Sequence, residues 1–198
     1  MAQVHHAQPL EAQLTNHAVI VVDLQNEYLP SGHLPLVGIE AAVHNAAQIM
    51  AQARVQGIPV IHIRHEAADA NATVFQPGTD HVKIQAPVQP EGDETVILKH
   101  YPNSFRETSL QSQLQQMGIT QLTVIGAMSY MCIDATVRAA VDLGYQVTVA
   151  EDACATRNIA FGEKEVPAAQ AHATIMAGFE FAYAQVVTTN TLLSHWAR

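Results

Sequence analysis

Short apolar runs rich in valine and isoleucine alternate along the chain with longer stretches in which apolar positions recur at helical spacing. The short runs are Ala18 to Leu24, Pro59 to Arg64, Thr95 to His100, Leu122 to Ala127, Gln146 to Asp152 and Ala184 to Thr189. They are continuously apolar rather than alternating, as strands buried on both faces should be, which predicts a parallel sheet covered by helices on each side. Helices are expected over roughly Ile39 to Gln56, Thr108 to Met117, Met131 to Leu143 and Lys164 to Ala177. Each is followed by a glycine, at Gly57, Gly118, Gly144 or Gly178, where a left-handed cap would end it. The segment from Glu66 to Glu94 breaks this rhythm with prolines and glycines and reads as a long ordered loop, the kind that tends to serve a site.

Composition narrows the picture. The 198 residues, 48% of them hydrophobic, suffice for one well-buried domain over 1–198, and a charged content of 14% suits a body with a subunit interface, hence a homo-oligomer, dimer or larger. Acidic residues outnumber basic ones 18 to 9 and the basic ones are scattered, which disfavours nucleic acid as a partner. No membrane-length apolar run and no basic, apolar leader is visible, so a cytoplasmic location is expected and no membrane partner. The two cysteines, Cys132 and Cys154, do not make a disulfide framework.

In an open parallel sheet the binding crevice lies beyond the carboxyl ends of the strands. Three polar residues fall there: Asp23 closes "VIVVD", Lys99 closes "TVILK", and Cys132 follows "TVIGAMSYM" at the expected start of a helix. Each alone has an ordinary explanation as cap, surface lysine or core thiol. Together they suit covalent acyl transfer. A thiol at a helix N-terminus beside an ammonium should have a lowered pKa, and an aspartate in reach can take its proton and pass it to a leaving amine. Cys154 has no suitably placed basic neighbour and reads as packing, and Asp134 and Arg138, four apart, read as a helix-face ion pair.

With these residues in place the chain resembles the isochorismatase-like cysteine hydrolases, a family that includes nicotinamidases and other small-amide hydrolases. "VVDLQNEY" is similar to the family's opening acidic motif, "ILKHYPNSF" to its lysine motif, and "GAMSYMCIDATVRAA" to its nucleophile motif. The resemblance implies a Rossmann-like three-layer α/β/α sandwich with a six-stranded parallel sheet, a triad of Asp23, Lys99 and Cys132, and no cofactor. It also implies a cis peptide between Ala127 and Met128 that aims the Met128 N–H, with that of Cys132, at a developing oxyanion. Tyr28, Phe105 and Tyr130 lie within a few residues of these groups and are expected to wall the pocket for a small-molecule substrate.

The chain also departs from that pattern. Nicotinamidases carry an Asp-x-His metal element after the second strand, whereas "VIHIRHEAAD" offers His62 and His65, three apart and on opposite faces of an extended backbone, so no metal is expected there. Glu27 and Tyr28 stand where the family has aspartate and phenylalanine, which would reshape a tight pocket. Two other functions stay open: vinyl-ether hydrolysis with Asp23 as the acid, and a metabolite-binding protein without turnover.

Overall fold

The computed structural model describes residues 14 to 197. Six strands form one parallel sheet in the order β3-β2-β1-β4-β5-β8, giving an α/β/α sandwich. The strands are β1 (His17–Val22), β2 (Val60–His65), β3 (Thr95–Lys99), β4 (Gln121–Ala127), β5 (Gln146–Ala155) and β8 (Gln185–Val187). The intervening β6 (Ile159–Phe161) and β7 (Lys164–Val166) pair with each other as a separate antiparallel hairpin. The helices are α1 (Ile39–Val55), α2 (Leu110–Gln116), α3 (Asp134–Asp142), α4 (Ala168–Ala182) and α5 (Thr189–Trp196).

Central β1 explains the unbroken apolar pattern. Val19 and Val21 join the core layer of Ile49, Met50 and Trp196 beneath α1 and α5, while Ala18, Ile20 and Val22 join the layer of Leu114, Val137 and Phe179. A strand whose alternate side chains enter two cores has no polar face to display. Edge strand β3 differs, leaving Val96 and Leu98 partly exposed.

Three helices end at the expected glycines, and the six strands lie within a few residues of their expected limits. Two expectations are corrected. Lys164 to Val166 is not the start of a helix but strand β7; Pro167 then caps α4, which runs through Gly178 to Ala182. Gly178 packs near Arg138, and Phe179, wholly buried, prolongs the apolar face past it. The segment Met131 to Leu143 also divides, into a π-helical turn at Ser129–Ile133 and then α3. Among the described residues, no helix is long and apolar enough to cross a membrane.

Candidate active site

Three strand ends deliver three polar side chains to one point. Lys99, at the end of β3, reaches past the end of β2 to place Nζ 2.7 Å from Asp23 Oδ2 and 3.2 Å from Cys132 Sγ. All three residues are buried, with relative exposures of 0% for Asp23, 1% for Lys99 and 7% for Cys132. The Lys99–Asp23 contact is an ion pair outside hydrogen-bond angles, and Asp23 Oδ1 has no partner among the described residues.

The backbone pays for this convergence locally. Asp23 sits at φ 53°, a left-handed conformation that costs a side-chain-bearing residue roughly 1–3 kcal/mol, though aspartate tolerates it better than most. Its N–H bonds to the Ile63 carbonyl at 3.0 Å, and its carbonyl accepts from the Gln25 N–H at 2.7 Å. The buried Gln25 amide then ties β1 to its surroundings, donating to the carbonyls of His65 and Val82 at 2.8 Å each and accepting from the His65 N–H at 2.8 Å. Gly126, on β4 opposite Val22, is needed for close approach: a Cβ there would stand 2.0 Å from the Val22 carbonyl oxygen. The Ala127–Met128 peptide that follows is cis. The π-helical turn beyond it is tied to α4 by Ser129 Oγ, 2.8 Å from His172 Nδ1.

Electrostatics corrects one expectation. Burial pushes the Cys132 thiol above its ordinary pKa, Asp23 pushes it further, and Lys99 only partly offsets them, so the thiol is not the low-pKa group expected for a helix N-terminus. It lies inside the π-helical turn, before α3 begins. Burial works against the Lys99 charge, but Asp23 and Cys132 outweigh it and hold Lys99 above its usual range, as an ammonium. In this buried site the Lys99 ammonium stands as the counter-charge between the Asp23 carboxylate and the Cys132 sulfur.

His65 completes the cluster. Burial first, and Lys99 next, lower its pKa to about 4, so at neutral pH it is uncharged. Its Nδ1 lies 3.2 Å from Lys99 Nζ, and because an ammonium can only donate, Nδ1 is the acceptor and the ring proton belongs on Nε2. Nothing in the spacing of "VIHIRHEAAD" announces this contact with Lys99. His62 is engaged elsewhere, 3.0 Å from Glu94 Oε2, so the two histidines answer to different partners. Cys154 is buried in the core with its pKa pushed up to about 12 by burial, and Asp134 accepts from Arg138 Nε at 2.8 Å.

The expected pocket residues separate. Tyr28 packs edge-on against Phe75, and its hydroxyl is held well above its ordinary pKa by burial and then by Cys132 and Asp23, which puts an un-ionised phenol beside the triad. Tyr130 borders an open cleft of about 480 Å³ along the β6–β7 hairpin, with Arg157, Asn158 and Glu165 on its wall; Asp23, Lys99 and Cys132 do not line it. That volume suits a small molecule. Phe105 stacks on Tyr145 and, partly buried, packs against the core layer that includes Cys132, Ile133 and Val137.

A parallel α/β sandwich with a buried cation between a carboxylate and a thiol at its strand ends can be compared with known hydrolases. Residues 17–191 match the Isochorismatase domain family. The chain is 46% identical to the isochorismatase family protein YddQ of Bacillus subtilis (strain 168), over 89% of this chain and 98% of that protein. It is 33% identical to a streptothricin hydrolase of Streptomyces noursei, over 72% of this chain and 50% of that protein. The crystal structure of an isochorismatase from Pseudomonas putida KT2440 superposes with a TM-score of 0.85 at 39% identity, covering 91% of each chain. The chain belongs to the isochorismatase family of hydrolases.

Proposed function

We propose that the protein cleaves the C–N bond of a small amide-like substrate through an acyl-enzyme on Cys132. The observation that carries this reading is the position of Lys99 Nζ, within 3.2 Å of both the Asp23 carboxylate and the Cys132 sulfur. As Cys132 Sγ attacks the carbonyl carbon, the thiol proton passes to Asp23, whose Oδ1 has no other partner among the described residues. The raised thiol pKa fits this order: the proton leaves during attack rather than before it. Lys99 stays charged throughout and balances whichever of the two groups is anionic. The N–H groups of Met128 and Cys132 receive the oxyanion; a donor of this kind is worth about 3–4 kcal/mol in the transition state.

Collapse of the tetrahedral adduct breaks the C–N bond, with Asp23 returning the proton to the departing nitrogen. Water, deprotonated by Asp23, then attacks the thioester, releasing the acid and restoring the thiol. The streptothricin hydrolase of Streptomyces noursei, named for hydrolysis of its own substrate, is one relative whose name bears on turnover.

The test is ammonia or amine release from a panel of small amides, ureides and nicotinamide, with intact-mass detection of the acyl-enzyme. Cys132→Ala should lose turnover and the mass adduct together. Turnover retained in that variant would overturn the covalent mechanism; a vinyl ether cleaved by both the parent and Cys132→Ala would instead assign the chemistry to Asp23 acting as acid.

A further inference from the structure

Away from the triad, two loops bring a carboxylate and two imidazoles together. Glu27, from the turn after β1, is wholly buried, and its Oε2 accepts the Phe75 N–H at 2.8 Å. That bond fixes the carboxylate so that Oε1 faces His33, which donates its backbone N–H to it at 2.9 Å and places Nδ1 2.9 Å away. The reversal between Glu27 and His33 is tight enough to require Gly32, where a Cβ would meet the Glu27 carbonyl oxygen at 2.1 Å. His81 arrives from the other loop with its ring centroid 4.3 Å from that of His33, tilted by 52°. Among the described residues its ring nitrogens have no hydrogen-bond partner in the protein.

One donor atom from each of the three residues lies within 4.8 Å of the others. We infer that Glu27, His33 and His81 form a binding site for a divalent transition metal of the zinc type, which clasps the loop carrying His81 to the loop after β1. Two imidazole nitrogens and one carboxylate oxygen are a ligand set that zinc accepts, with bonds of about 2.0–2.2 Å and water in the fourth position. Tetrahedral bonds of that length place donors roughly 3.3 Å apart. The Glu27–His33 pair is already closer than that, so His81 makes most of the adjustment.

The same two loops are already stitched by Asn26, whose backbone N–H donates to the Lys83 carbonyl at 2.9 Å and whose side-chain Nδ2 donates to the Asp80 carbonyl at 3.0 Å. The clasp has a short route to the triad. Phe75, whose N–H holds Glu27, packs its ring edge-on to His65 at 4.8 Å, and His65 touches Lys99. The ion's role is positional: it fixes a wall of the crevice and takes no part in bond cleavage.

The site does not depend on the catalytic reading, because its test needs no substrate. The full chain, stripped with EDTA, is titrated with Co²⁺ and Zn²⁺, the former followed by its visible absorption. The background carries His5→Ala and His6→Ala, which removes the adjacent histidines near the amino terminus. One equivalent should bind. His33→Ala and His81→Ala should each weaken it by at least about 100-fold, since loss of a ligand exceeds the roughly 10–100-fold cost of losing an outer-shell partner. Amide exchange across residues 75 to 83 should slow when Zn²⁺ is added. Absence of binding, binding that survives both substitutions, or unchanged exchange across that segment would overturn the inference.

Discussion

Lys99→Met tests the physical core of the site. It keeps much of the buried side-chain volume but removes the ammonium from between Asp23 and Cys132, leaving a carboxylate at 0% exposure with no counter-charge. At 2.7 Å and an effective dielectric constant of about 20, the gross attraction is about 6 kcal/mol, most of which only repays desolvation of the two charges. Removing one partner forfeits the repayment while keeping part of the penalty, so the variant should lose about 3–5 kcal/mol of stability. For a domain of this size that is a fall in Tm of roughly 6–20 °C.

Asp23→Asn with Lys99→Met removes both charges and should recover most of the loss, although neither variant should turn over substrate. Urea denaturation of the parent, both single variants and the double variant closes the cycle and gives the coupling energy directly. A Lys99→Met protein within about 1 kcal/mol of the parent, or a double variant no more stable than the single, would refute the paired-charge account. The pH dependence has a definite sign. Because the folded pKa of Lys99 is raised, its contribution is fully present below the unfolded value near 10.4 and is lost as pH climbs through the folded value.

Three further outcomes follow from the same geometry. Burial lowers His17 to about 4, so between that pH and about 6.5 the unfolded chain binds the extra proton; acidification through this window should cost up to roughly 3 kcal/mol, a loss that His17→Gln should flatten in pH-dependent urea titrations. Iodoacetamide with peptide mass mapping should label Cys132 ahead of Cys154 although both are 7% exposed, because Cys132 has the Lys99 ammonium at 3.2 Å and Cys154 has no cation beside it among the described residues; the reverse order would contradict the proposed nucleophile. Phe161 and Phe181 stand 87% and 75% exposed on the β6–β7 hairpin and α4, and the proposed homo-oligomer gives them a use: Phe161→Glu with Phe181→Glu should lower the mass measured by light scattering without unfolding the chain.

How much of this was legible in the sequence varies with the range of the interaction responsible. Where local pattern sufficed, as for the six strands and for α1, the reading held, because both are set by periodicity and by breakers a few residues away. It failed where long-range packing overrode a local signal. Gly178 looked like a helix end, but the buried Phe179 beyond it carries α4 onward.

The sequence by itself determined which chemical groups are present and that strand ends would carry them, since continuous apolar runs dictate a covered parallel sheet and a covered parallel sheet has one functional edge. Only the tertiary structure decided what those groups are in each other's company. Burial turned an expected low-pKa thiol into one whose pKa is raised, and it made His65 a neutral acceptor for Lys99. It also gathered Glu27, His33 and His81 from two loops that no periodicity relates. The physical reason is common to all three: a pKa or a ligand set is a property of neighbours and of lost water, and the fold supplies both.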